Sequence, residues 1–219
     1  MIYKAFYKSL PVMVGYVFIG FGFGMLLKEA GFGLGYAILM SALIYAGSMQ
    51  YVGVSLLAGP ASIVTTFLTT LLINARHIFY SISMTERYKH TGAYKPYLLF
   101  ALTDETFALL SEEENDTSSK FYFWVSFFNQ IYWIAGTALG SMFASALPFD
   151  MSGIEFSMTA LFVSAYTEQF FHSENKKPAL IGLGCSFLCL LLLGADAFLI
   201  PSMILIVVVL MMQGGKTCQ

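Results

Sequence analysis

The chain is a succession of apolar runs, each roughly 16 to 25 residues long, and this succession limits its fold more than any motif does. The runs lie near residues 10–27, 33–57, 60–84, 96–111, 121–146, 153–171, 179–194 and 197–213. A bilayer core takes about 20 helical residues to cross. Hydrophobic residues make up 58% of the chain and charged ones 11%, against about 25% charged in a soluble domain. That leaves too little polar surface to cover a soluble globule. The expected fold is therefore all-α: a polytopic helix bundle in the lipid bilayer, with about seven to eight membrane segments in a single transmembrane domain over residues 1–219.

Several function classes are disfavoured. The net charge is −2 and the 11 Lys and Arg are scattered, so no face for nucleic acid is expected. Lys4 and Lys8 precede the first apolar run, as in a signal peptide. That run is glycine-rich, lacks an A-x-A site and is followed by many more, so it reads as the first transmembrane helix. His77, His90 and His172 are widely spaced, and no H-E-x-x-H, G-x-S-x-G or phosphate-loop sequence occurs. No enzyme activity, metal or cofactor is expected. Cys185 and Cys189 share a helical face, where small residues packing in lipid is the simpler reading than a metal or redox pair.

The run 33–57 is interrupted by Gly47, Ser48, Gln50 and Gly53, so "AGSMQ" at 46–50 reads as a broken helix or the turn of a re-entrant hairpin. Lys4 and Lys8 favour a cytoplasmic N-terminus, and Arg87, Lys89 and Lys95 a cytoplasmic loop at 85–95. The two agree if 33–57 enters and leaves by one face, which places the acidic run Glu112, Glu113, Glu114 and Asp116 outside. Gly20 and Gly24, and Gly136, Gly140 and Ala144, recur at four-residue spacing and allow close helix approach, within this chain or with a partner subunit.

Polar residues at membrane depth are the candidate site. On a helix, Thr66, Thr70, Asn74, His77 and Ser81 fall within a sector of roughly 80°. Such a face must meet other helices or a watery path, because unsatisfied polar groups are costly in hydrocarbon. Arg76 lies about 100° away, as an interfacial anchor or an ion-pair partner. In "FALTDETFALL", Glu105 lies about 13 Å along a helix from Pro96, on a face with Leu98, Leu102 and Leu109. Asp104 shares another face with Tyr97, Ala101, Ala108 and Ser111. The carboxylates read either as an ion pair with Arg76 or, functionally, as a proton-coupling carboxylate or a ligand for a substrate ammonium. An amino acid would need an anion for its ammonium, and a cation or free helix amides for its carboxylate; a broken helix at "AGSMQ" supplies such amides. Glu155, Glu168, Gln169 and Asp196 read as boundary or turn residues.

"AGSMQY" at 46–51, "NARHIFYSISM" at 74–84, "TDETFAL" at 103–109 and "GIEFSMTALFVSAYTEQ" at 153–169 together resemble the AzlC family of branched-chain amino acid exporters, over about residues 10–200. The resemblance implies a large subunit that works with a small AzlD-type membrane protein in the cell membrane. The implied activity is export of branched-chain amino acids, and in some members methionine, with the proton motive force as the expected drive. Ser48, Gln50, Asn74, Arg76, His77, Asp104 and Glu105 fall in the family's polar motifs, and Thr70 joins them from the polar helix face. The alternative is a channel-like or partner-stabilising membrane protein without coupled transport.

Overall fold

The computed structural model describes residues 1–111, 113, 118–144, 176–194 and 198–214, with positions 156, 160, 163, 166, 167, 170 and 171. Among these residues every regular element is helical: α1 (Ile2–Glu29), α2 (Leu34–Leu43), α3 (Gly47–Ala58), α4 (Ile63–Met84), a 3-10 turn (Gly92–Tyr94), α5 (Lys95–Phe100), α6 (Asp104–Ser111), α7 (Ser119–Phe143), α8 (Lys177–Leu193) and α9 (Leu199–Gly214). They form two compact units, Met1–Met158 and Thr159–Gln219. Among the described residues α1 alone is both long and apolar enough to cross a bilayer by itself. Of the residues read from sequence, Glu112, Glu114, Asp116, Glu155, Glu168, Gln169, His172, Asp196 and Cys218 lie outside the described ones.

The spine of the first unit is the pair α1 and α7, and glycine makes it. A Cβ at Gly24 would lie 2.1 Å from the Thr137 carbonyl oxygen, and one at Gly140 would lie 1.9 Å from that of Phe21. Only residues without a side chain let two backbones approach so closely. Both glycine stripes are thus used within the chain. The two helices run parallel: Lys4 Nζ sits 5.4 Å over the Phe121 ring, and Gly20 lies beside Trp133 and Thr137. Around this seam, Tyr16, Phe23, Tyr51 and Trp133 pack as one core, and Tyr88, Leu98, Leu110, Phe121 and Tyr122 as another.

The remaining helices can be placed against the two ends of the spine. Just past α4, Arg87 donates to the carbonyls of Leu110, Ser111 and Glu113, and Glu113 pairs with Lys8 at 3.3 Å and Lys4 at 3.9 Å. The C-terminus of α4, the C-terminus of α6 and the N-terminus of α1 therefore share one end, called the near end. At 1.5 Å per residue α4 is about 33 Å long, so Ile63 lies at the far end, where α1 also finishes.

This fixes two hairpins. Segment α2–α3 leaves the far end, turns at Ile44–Ala46 and comes back: Ala42 O accepts from Gln130 Nε2 at 3.1 Å, Gly47 lies against Trp133, and Tyr51 reaches Phe23 and the Ile19 carbonyl further along α1. Segment α5–α6 leaves the near end and returns to it, with its turn at Ala101–Thr103 against Tyr16. So 33–57 is a helical hairpin, its turn lying just ahead of "GSMQ", which forms the first turn of α3. The run 96–111, read as one helix, is a second hairpin entering from the opposite end. Glu113 lies at the same end as Lys4, Lys8 and the 85–95 loop, correcting its expected placement opposite them; its carboxylate is drawn there by the two lysines.

In the second unit, α8 and α9 pack on each other. Gly194, at φ 75°, ends α8. Cys185 and Cys189 are free thiols.

Candidate functional site

The two hairpin turns meet beside α4. Helix α6 starts at Asp104 because Thr103 caps it: its Oγ1 accepts from the Thr106 amide at 3.3 Å and its carbonyl from the Phe107 amide at 2.8 Å. Asp104 and Glu105 then occupy the first turn, where the helix dipole favours negative charge. Helix α3 starts at Gly47 with no side-chain cap. Tyr45, just before it, has φ 44°, a left-handed backbone that bulky residues rarely adopt. Its ring lies 6.3 Å from that of Phe100, joining one turn to the other.

Arg76 on α4 spans the gap between them. Its Nη1 donates to Asp104 Oδ2 on α6, and its Nη2 donates to Ser48 Oγ on α3. Side-chain exposures of 30% for Arg76 and 32% for Asp104 leave the pair reachable. Asp104 uses one oxygen only; its Oδ1 is buried without a hydrogen bond.

Glu105 turns away from this pair. Its Oε2 accepts from the Tyr16 hydroxyl at 2.7 Å, and that hydroxyl lies 2.6 Å from Thr103 Oγ1. Thr103 Oγ1 donates to Thr106 Oγ1 at 2.9 Å, and Asn129 Nδ2 donates to the same oxygen at 2.9 Å. Two adjacent carboxylates therefore have different partners, a cation for Asp104 and a chain of neutral hydroxyls for Glu105.

A family model described as AzlC protein matches residues 11–147. The branched-chain amino acid transport protein AzlC of Bacillus subtilis is 39% identical over 210 residues, 94% of this chain and 83% of that one. The chain belongs to the AzlC family. An uncharacterized membrane protein of Helicobacter pylori is 40% identical over 95% of this chain and 92% of its own. The inner membrane protein YgaZ of Escherichia coli is 29% identical over 90% of this chain and 82% of its own. No solved structure matches the chain. It is a multi-pass membrane protein, and its family places it in transport.

Of the AzlC-family motif residues, Ser48, Arg76 and Asp104 come together, with Glu105 one residue along. Gln50 does something else. It is fully buried, its Oε1 accepts from Trp133 Nε1 at 2.9 Å, and its Nε2 donates to Ser41 Oγ at 3.3 Å. Ser41 in turn donates to Thr137 Oγ1 at 3.0 Å, so Gln50 braces the far-end hairpin against α7. Thr70 donates within α4 to the Thr66 carbonyl at 2.7 Å, and His77 Nδ1 lies 3.3 Å from the Asn74 carbonyl. Asn74 Oδ1 is buried without a hydrogen bond.

Sequence reasoning missed Tyr16, Thr103, Thr106 and Asn129. Thr103 carried a usable signal, since a threonine followed by two acidic residues is a helix start. Tyr16, one tyrosine in an apolar helix, carried none.

Proposed function

We propose that this protein exports branched-chain amino acids, and methionine, across the cell membrane, driven by the proton motive force, as the large subunit of a pair with a small AzlD-type membrane protein. The observation behind this reading is Arg76 held between Asp104 and Ser48 where two hairpins meet. A zwitterionic substrate needs both kinds of partner there. Arg76 and the uncapped amides of α3 suit its carboxylate, and Asp104 suits its ammonium. Glu105, whose hydrogen bond comes from the neutral Tyr16 hydroxyl, is the candidate coupling group. Thr70, Asn74 and His77 line the same helix as Arg76 and are assigned to the path rather than to the contact. The printed name of the Bacillus subtilis relative supports the substrate class.

In this reading the chain is one transmembrane domain of seven to eight membrane segments, two of them hairpins that enter without crossing. Lys4, Lys8, Arg87, Lys89 and Lys95 all belong to the near end, which is therefore cytoplasmic. The test is efflux from cells loaded with isoleucine- or methionine-containing dipeptides, with this chain expressed alone and with an AzlD-type partner. Faster efflux only with both chains is expected. Unchanged efflux, with both proteins verified in the membrane, would remove the amino acid reading.

A further inference from the structure

The two hairpins are held by different chemistry. The far-end hairpin α2–α3 is fastened chiefly by uncharged groups that satisfy one another, through Gln50, Trp133, Ser41 and Thr137, with Ser48 on Arg76 beside them. Its Gly47 fits so closely on Trp133 that a Cβ would come to 3.0 Å from the indole. The near-end hairpin α5–α6 is fastened at its tip by Arg76 to Asp104 and by Tyr16 to Glu105 and Thr103. Its neutral ties are Asn129 to Thr106 and, at the start of α5, Tyr97 to Gln130 Oε1 at 2.8 Å. At its base, Arg87 holds the carbonyls of Leu110, Ser111 and Glu113. A fixed base, a non-helical turn at Ala101–Thr103 and short arms make this hairpin the one that can swing; helices as short as α5 and α6 have little stability of their own.

We infer that α5–α6 is a gate at the near end, opened when a ligand carboxylate takes the place of Asp104 on Arg76, while α2–α3 is its fixed counterpart. This rests on the reading of the protein as an amino acid transporter. Asp104 holds the guanidinium through a single oxygen, whereas a free carboxylate can approach it with two parallel bonds, the stronger geometry. Ligand binding shifts a conformational equilibrium only by its differential affinity for the two states, and here the difference is the carboxylate that Arg76 holds. Once Asp104 is displaced, the tip loses its only cation among the described residues, and Ser48 keeps Arg76 on the far-end hairpin.

The experiment uses the full chain with Cys185, Cys189 and Cys218 replaced by serine, and a membrane-impermeant maleimide applied to vesicles of each orientation. Ala101 and Ala46 are buried at the two turns, so Ala101→Cys and Ala46→Cys are separate reporters. Asp104→Asn is expected to raise labelling of Ala101→Cys several-fold, from the face that carries the N-terminus, and to leave Ala46→Cys protected. Isoleucine is expected to raise it likewise with Asp104 intact, and isoleucinamide, which has no carboxylate, is not. Labelling of Ala46→Cys instead, of both turns together, or of neither, overturns the gate. If Asp104→Asn fails to reach the membrane, the comparison of isoleucine with its amide decides. A rise with Asp104→Asn but none with isoleucine keeps the gate and discards the proposed substrate.

Discussion

The Tyr16 hydroxyl donates to Glu105 Oε2 over 2.7 Å, so the second carboxylate of the "TDE" sequence rests on a neutral group while the first rests on a guanidinium. Adjacent residues on a helix point about 100° apart, which is how two neighbouring acids reach different helices. This division motivates the first prediction. Glu105→Gln should reach the membrane folded, because an amide can keep a hydrogen bond to Tyr16. It should lose uphill export under an imposed proton gradient while retaining exchange of substrate across the membrane. Normal uphill export by Glu105→Gln would take Glu105 out of the coupling step.

Tyr16→Phe removes the hydroxyl shared by Glu105 and Thr103. The expected cost is on the order of 1–3 kcal/mol of stability, the range for leaving a buried acceptor without its partner. It should appear as a lower melting temperature in detergent. An unchanged melting temperature would mean that the contact contributes nothing to the fold.

Arg76→Gln and Asp104→Asn should each abolish transport. Each leaves the other residue without its ion-pair partner. Fully buried pairs cost about 3–5 kcal/mol to break, and with the two side chains 30% and 32% exposed the expectation here is nearer 1–2 kcal/mol after screening. The double variant should recover most of that stability but no transport. Recovery of transport in the double variant would reduce the pair to a structural tie.

Gln50→Ala leaves the Trp133 N–H and the Ser41 hydroxyl without this partner inside the core. A loss on the order of 2–4 kcal/mol is expected, with a lower yield of folded protein and unchanged substrate preference in whatever folds. A changed preference at normal stability would return Gln50 to the binding site, where the sequence reading had put it.

These residues show what could be read from the chain and what could not. The hydrophobic runs pointed to the helical membrane class, and "AGSMQ" marked an interruption, legible as a broken helix or a hairpin turn, because glycine and polar residues at that depth have few other uses. Pairing of Asp104 with Arg76 was legible as an option, since a deep carboxylate needs a cation. The second hairpin was not recognised: "PYLLFALTDETFALL" has helical periodicity throughout, and only the Thr103 cap marks the break. Treating it as one helix put Glu105 on a leucine face, whereas the turn sends it to Tyr16. The structural ties of Gln50 were illegible for a related reason. Its role depends on Trp133, far along the chain, and no local pattern encodes that contact.

The glycine seam separates tolerated from untolerated positions. Gly140→Val places side-chain atoms where the Phe21 carbonyl already sits, within 1.9 Å of the first added carbon, and no folded protein is expected on gel filtration. Gly182→Ala, with nothing within 4 Å of the added carbon, should be neutral or slightly stabilising, since alanine is the better helix former. Equal recovery of both variants would show that α1 and α7 do not meet through their backbones.

The seam also dictates the order in which this protein can be made. Its two faces belong to the first and last helices described in the first unit, and both hairpins lie between them in the chain. Gly24 has no partner until Thr137 and Ser141 have left the ribosome. Until then α2, α3, α5 and α6, roughly 9 to 18 Å long, are too short to span a bilayer and have no spine to lean on. Closure of the seam thus comes only after both hairpins are made, and a defect there should yield chains that are inserted but never locked, the form that membrane proteases remove.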